Sequence, residues 1–130
     1  MKVQRTEIFN EETIRYTNKN GVTSIECNVN VINFIDPETK YKMAYIPSLE
    51  ISGYGDTSKE ATEMVFQTLE YYFKNLLSLS KKEVENEFVK YGWRKKQLKK
   101  KEYISTIDIK EVLVGAGIKD YDTSSLTLAA

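Results

Sequence analysis

Residues 45–79 constrain this chain more than any other stretch. Tyr45-Ile46-Pro47-Ser48-Leu49 reads as the end of a strand, Gly53-Tyr54-Gly55 as a glycine-bearing turn, and Asp56-Thr57-Ser58-Lys59-Glu60-Ala61 as the start of a helix. Thr57 and Glu60 have capping-box spacing. The Thr57 hydroxyl can accept from the Glu60 backbone N–H, while the Glu60 carboxylate reaches back to the N–H of Thr57. Asp56 adds negative charge at the positive end of the helix dipole. Beyond the cap, Ala61, Met64, Val65, Thr68, Leu69, Tyr72, Phe73, Leu76 and Leu77 recur at three- and four-residue steps, which places them on one face of a helix of about six turns. That face has to be buried, and the strands before it are the nearest apolar surface.

Those strands are legible in the alternation. From Val22 to Ile35, Ile25, Cys27, Val29 and Val31 alternate with Glu26, Asn28 and Asn30, and then Val31-Ile32-Asn33-Phe34-Ile35 is apolar on both faces. This predicts a strand running from a half-solvated zone into a covered one, with a bulge as a way to shift its phase. Asp36-Pro37-Glu38-Thr39-Lys40 supplies a reversal, Tyr41–Ile46 the returning strand of a hairpin, and Ile51–Tyr54 a short third strand. Upstream, Val3–Phe9 reads as an edge strand and Asn18-Lys19-Asn20-Gly21 as a turn.

After Leu79, Ser80 and Glu83 repeat the capping box and open a second helix, with Val84, Phe88 and Tyr91 on one side, Glu85 and Glu87 in solvent, and Gly92 as its C-terminal cap. Trp93 follows, as a lid on the core or as a platform for a ligand. Arg94-Lys95-Lys96-Gln97-Leu98-Lys99-Lys100-Lys101 is the one strongly single-signed segment. It reads either as a solvated loop or exposed strand pair held to neighbouring acids, or as a contact for phosphates or an acidic partner. In the second reading Arg94, Lys95, Lys96, Lys99, Lys100 and Lys101 carry the charge, and Trp93 and Tyr103 are stacking candidates. Tyr103–Ile109 alternates as a strand or a helix approach, Asp108 and Glu111 can cap a short helix through Val112, Leu113 and Val114 closed by Gly115 or Gly117, and Ser124–Ala129 reads as a strand that adds to the sheet. The expected architecture is α+β: an antiparallel sheet of three or more strands covered by one long helix, in a single domain of residues 1–130 with a core at 22–79 and a helix and strand extension at 80–130. A second, smaller subdomain is the alternative for the extension.

Composition removes whole classes of chemistry. The chain has no histidine, so Ser-His-Asp and Cys-His catalysis and His-ligated zinc are out. Its one cysteine, Cys27, excludes an internal disulfide, a thiolate zinc site and Cys-x-x-Cys redox chemistry. Lys plus Arg total 19 and Asp plus Glu total 19, so no global field steers the protein to nucleic acid or to a membrane. Neither a signal-peptide run nor a stretch of ~20 apolar residues is present, and the cytoplasm is the expected location.

The strand residues Lys42-Met43-Ala44-Tyr45, followed by Pro47, Leu49, Gly53, Gly55, Asp56, Thr57, Glu60 and Ala61, resemble the HicB-like antitoxin domain over about residues 23–79. The sequence departs from that pattern at Glu50-Ile51-Ser52, where the family usually has Pro-Gly-Cys. The resemblance implies a partial ribonuclease H-like fold that sequesters a small ribonuclease toxin of HicA type, commonly as a homo-oligomer, with a DNA-binding appendage that represses its own operon in bacteria. No helix-turn-helix or ribbon-helix-helix pattern follows the core helix here, and the exposed side of the second helix is acidic, so an orphan regulatory module is a further option.

Ribonuclease H-like folds use paired carboxylates to hold magnesium. Glu26, Asp36, Asp56, Glu60 and Glu63 are of the right type, but a turn, a helix cap and solvent-facing positions explain them. The expectation is therefore a protein without catalytic, cofactor or metal residues, in which Pro47, Gly53, Gly55, Asp56, Thr57 and Glu60 are structural. Tyr41, Tyr45, Tyr54, Tyr71, Tyr72, Tyr91 and Tyr103 suit an interface. A nucleic-acid-binding module that uses residues 94–101 is the alternative.

Overall fold

A computed structural model describes residues 9–96 and 101–130. Its elements in chain order are β1 (Thr13–Lys19), β2 (Val22–Ile35), β3 (Lys42–Ile46), β4 (Ile51–Gly55), α1 (Ser58–Leu77), α2 (Lys81–Lys90), β5 (Trp93–Lys95), β6 (Glu102–Ser105), α3 (Ile109–Gly115) and β7 (Asp122–Ala129). All seven strands belong to one antiparallel α+β sheet.

The long strand β2 is the spine, and the sheet forks along it. β7 pairs with Glu26–Asn33 on one edge. β1 pairs with Val22–Asn28 and β3 with Ile32–Ile35. Residues 26–28 and 32–33 already face β7, so β1 and β3 must share the other edge, one behind the other. Two arms leave that edge: β3–β4 at one end and β1–β6–β5 at the other.

The fork corrects the expectation of one covering helix, because a single helix can follow only one arm. α1 packs on β2, β3 and β4 through Ala61, Val65, Leu69, Phe73 and Leu76. α2 packs on the other arm through Val84 and Phe88, with the Phe88 ring edge-on to Tyr103 at 4.9 Å. Both helices lie on one side of the sheet and share a core with Ile14, Ile25, Val29, Val31, Trp93 and Leu128. On the opposite side, Ile109 and Leu113 of α3 cover Ile32 in a second cluster joined by Phe9 and Phe34. Val31 and Ile32 are therefore buried on opposite sides of the sheet, whereas the doubly apolar run 31–35 opens towards its end and Ile35 is exposed. The register of β2 with β7 continues unbroken to Asn33↔Asp122, so no bulge is needed there.

Turn chemistry sets the connections. Asn20 and Gly21 both have positive φ (53° and 78°), which gives the two-residue link between β1 and β2 the twist that a hairpin requires. Pro47 is buried in the turn after β3, which is closed by the Leu49 N–H to the Ile46 carbonyl at 3.3 Å. The expected strand at Val3–Phe9 falls on residues 3–8, outside the described residues, and Phe9 is not in a strand. The first described strand is β1, which polar Thr13-Ile14-Arg15-Tyr16-Thr17 disguised: only Ile14 and Tyr16 point to the core.

Candidate functional site

The strand-to-helix junction is built by close approach. A Cβ on Gly53 would lie 2.6 Å from the Ala61 carbonyl oxygen and 2.8 Å from the Val65 nitrogen, and one on Gly55 would lie 2.4 Å from the Glu60 Cβ. Only glycine lets α1 sit this near β4. Thr57 caps α1 and accepts from the Glu60 N–H at 3.1 Å, but the Glu60 carboxylate takes the N–H of Asp56 (3.0 Å) rather than that of Thr57. The reach is one residue longer because Gly55 brings the chain in beneath the Glu60 side chain.

A buried polar knot closes the crotch of the fork. Between the end of β1 and the end of β3, the outward N–H of Asn30 has no strand to pair with. It donates instead to the Glu12 carboxylate at 3.0 Å, which also accepts from the Ser48 hydroxyl at 2.8 Å. The Trp93 indole N–H donates to the Ser48 carbonyl at 2.9 Å, and the Asn30 side chain exchanges hydrogen bonds with the Asn10 backbone. Glu12 is only 6% exposed, and burial raises its pKa against the lowering effect of these donors. Among the described residues no ion pair forms with it. Cys27 is inert by the same physics: burial pushes its thiol up to about 12.

The basic run is divided by the fold. Trp93 and Tyr103 are each 2% exposed, so neither presents a ring for stacking on a base, and that stacking role is corrected. Lys95 forms an ion pair with Glu85 (2.6 Å), and Lys96 with Glu102 (3.1 Å) and Glu11 (3.4 Å). Each partner shifts the other in the expected sense: the Glu85 carboxylate raises Lys95, and the Lys95 ammonium lowers Glu85. Arg94 lies exposed on β5, on the sheet side away from α2, and Lys101 is exposed just before β6. Lys99 and Lys100 lie outside the described residues.

Two surfaces remain with chemistry to offer. One is a cleft of about 330 Å³ between the first turns of α2 and the tips of β1, β5 and β6. Tyr16 and Tyr103 form its floor, and Lys81, Lys95, Lys101 and Glu85 its rim. The second is the far side of the β3–β4 arm. Ala44 and Gly53 face α1, so alternation turns Met43, Tyr45 and Tyr54 the other way, with Tyr41 beside them. Tyr41 and Tyr54 are 41% and 51% exposed, with rings 5.3 Å apart.

Of the carboxylates weighed as metal ligands, Asp36 holds its own turn, accepting from the Thr39 hydroxyl at 2.6 Å, a bond that lowers its pKa. Glu60 is engaged at the cap, and Glu26, Asp56 and Glu63 are exposed on separate elements. Among the described residues no three acidic or cysteine side chains are grouped as a metal site, and no helix is long and apolar enough to cross a membrane.

No residue pattern announces the crotch, because Glu12, Asn30 and Ser48 are ordinary residues one by one. The cleft did leave a trace. Lys81 and Lys82 occupy the first turn of α2, where the dipole favours acids. Compared with known proteins, the chain matches no family model, no curated protein and no solved structure.

Proposed function

We propose that this chain is a non-catalytic protein-binding module of HicB-like antitoxin type, with a partial ribonuclease H-like core, and that it presents the outer side of its β3–β4 arm to a partner. The observation that carries the reading is the aromatic and methionine surface of Tyr41, Met43, Tyr45 and Tyr54, half-open to solvent on a short edge arm. Tyrosine and methionine are the residue types that interfaces enrich, since they combine contact area with a polar or adaptable tip. The motif residues Gly53, Gly55, Thr57 and Glu60 support the resemblance in a second way. They hold the arm against α1 at distances no other residue would allow at the two glycines, so the surface is rigid before a partner arrives.

The partner implied by the resemblance is a small ribonuclease toxin of HicA type, and the module itself is expected to be a homo-oligomer. The test is co-purification from native cells on the tagged chain, with nuclease treatment, followed by a ribonuclease assay of what is retained. Retention of a small ribonuclease that the chain inhibits, and its loss from Tyr54→Lys and Tyr41→Lys variants with unchanged melting curves, supports the proposal. A partner released by nuclease, or one insensitive to both tyrosine variants, removes it. The nucleic-acid reading of residues 94–101 is the weaker alternative, because two of its aromatics are in the core and two of its lysines are neutralised by carboxylates.

A further inference from the structure

The cleft at the N-terminal end of α2 is independent of that reading. Its rim carries three lysines and one glutamate in a protein whose total charge is zero. The three cations come from separate places: Lys81 from the start of α2, Lys95 from β5 and Lys101 from the entry to β6. Local folding rules do not ask for them. A lysine in the first helical turn opposes the dipole, and a lysine four residues before Glu85 is the less favourable order for an ion pair along a helix. Positions where local preference is overridden are where function is to be sought.

The floor is equally specific. Tyr16 lies opposite Lys101, whose carbonyl accepts its N–H at 2.9 Å, and Tyr103 lies opposite Lys95 in the β5–β6 ladder. The Lys95 ammonium sits 5.9 Å from the centre of the Tyr103 ring and 2.6 Å from the Glu85 carboxylate. The Tyr103 ring, backed by the core, thus lies beside the Lys95 ammonium in a concavity that Lys81 and Lys101 also line, and among the described lining residues Glu85 is the one anion there.

We infer that this cleft is a binding site for a small phosphate-bearing anion, held by Lys81, Lys95 and Lys101, with Glu85 as an internal competitor for Lys95. Three lysines lining one cleft suit an anion carrying more than one negative charge, and a cleft of about 330 Å³ admits a pyrophosphate or a nucleoside 5′-phosphate. The rim offers no exposed ring for a run of bases, which favours a compact ligand over a nucleic-acid strand.

The competitor role gives the site a signed signature. Removing the Glu85 charge frees Lys95, so Glu85→Gln tightens binding, whereas Lys81→Gln and Lys101→Gln weaken it, each by about 5-fold. Glu63→Gln changes net charge by the same amount from an exposed position on α1 and leaves affinity unchanged. The experiment is calorimetric or NMR titration of the full chain with inorganic pyrophosphate, with adenosine 5′-monophosphate and with a 5′-phosphorylated oligonucleotide, at two salt concentrations. Saturable binding of pyrophosphate or the nucleotide with that pattern of variants establishes the site. The inference is overturned by absence of saturation, by an equal response of Glu63→Gln and Glu85→Gln, or by binding of the oligonucleotide alone. Because the tyrosines of the β3–β4 arm are untouched by these variants, failure here leaves the protein-binding reading standing, and the reverse holds.

Discussion

Glu12 shows how one residue can hold two strands apart and together. Its carboxylate stands where a strand partner would be, satisfying Asn30 and Ser48 in a site 6% open to water. Burial is the largest influence on it and raises its pKa above the ordinary 4.5, so proton binding favours the folded state. That contribution is fully present below about pH 4.5 and is lost as pH rises through the raised value. Glu12→Gln keeps an acceptor oxygen without the charge. It is expected to match or exceed the parent at pH 7 and to flatten the melting temperature between pH 4.5 and 7, read by circular dichroism; a slope identical to the parent's would remove the carboxylate from the account. Glu12→Ala leaves two buried donors unmet and is expected to lose about 1–3 kcal/mol in urea unfolding at every pH. Gly53→Ala acts by a different mechanism. Its methyl would press on backbone atoms of α1 at 2.6 and 2.8 Å, which cannot rotate away, and overpacking of this kind costs about 1–3 kcal/mol or more.

At the scale of elements, the cap and the period of α1 were readable because their signals lie within a few residues of the atoms they position, but the turn was not: Gly53-Tyr54-Gly55 belongs to strand β4, where the glycines admit α1 rather than turn the chain, and the turn falls earlier, at residues 47–50. Thr57, Ser80 and Asp108 all cap helices as their spacing to an acid three residues on announces. β2 is also where its alternation puts it, Val22 to Ile35. The fork was not readable, because it depends on β1 and β3 meeting the same edge of β2, and no residue pattern records which edge a strand will use. β1 itself was hidden by the polar side chains of its solvent face, and Trp93, read as a lid on the core or as a platform, is the lid, although its partner Ser48, 45 positions away in the chain, was not foreseeable. The Trp93 contact ties β5 to the turn after β3, so it couples the two arms. Trp93→Phe retains a buried ring but removes the donor together with part of the indole's volume, which leaves the Ser48 carbonyl without that bond and a small cavity beside it. A loss of about 1–3 kcal/mol in chemical denaturation is expected, and a change under ~0.3 kcal/mol would mean that the arms hold together without this bond.

Across the whole molecule, the two arms share one core. Residues 22–79 contribute Ile25, Val29, Val31, Ala44, Val65 and Phe73 to it, and the remainder of the chain contributes Ile14, Val84, Phe88, Trp93, Tyr103 and Leu128. The region that carries the family resemblance is thus only part of the apolar volume, and β2 within it is flanked on both edges by strands from outside it, β1 and β7. Cutting the chain to residues 22–79 would expose both edges of β2 along its first half and leave Asn30 without Glu12. Unpaired edges and a half-filled core are each sufficient to prevent stable folding of so short a piece. The fragment is therefore expected to give a poorly dispersed amide NMR spectrum, whereas the full chain unfolds in a single transition seen alike by tryptophan fluorescence, which reports Trp93, and by far-ultraviolet dichroism, which is dominated by α1 and α2. Two separated transitions, or a well-dispersed spectrum from the fragment, would mean that the β3–β4–α1 arm is self-sufficient and that the other arm is an appendage on it.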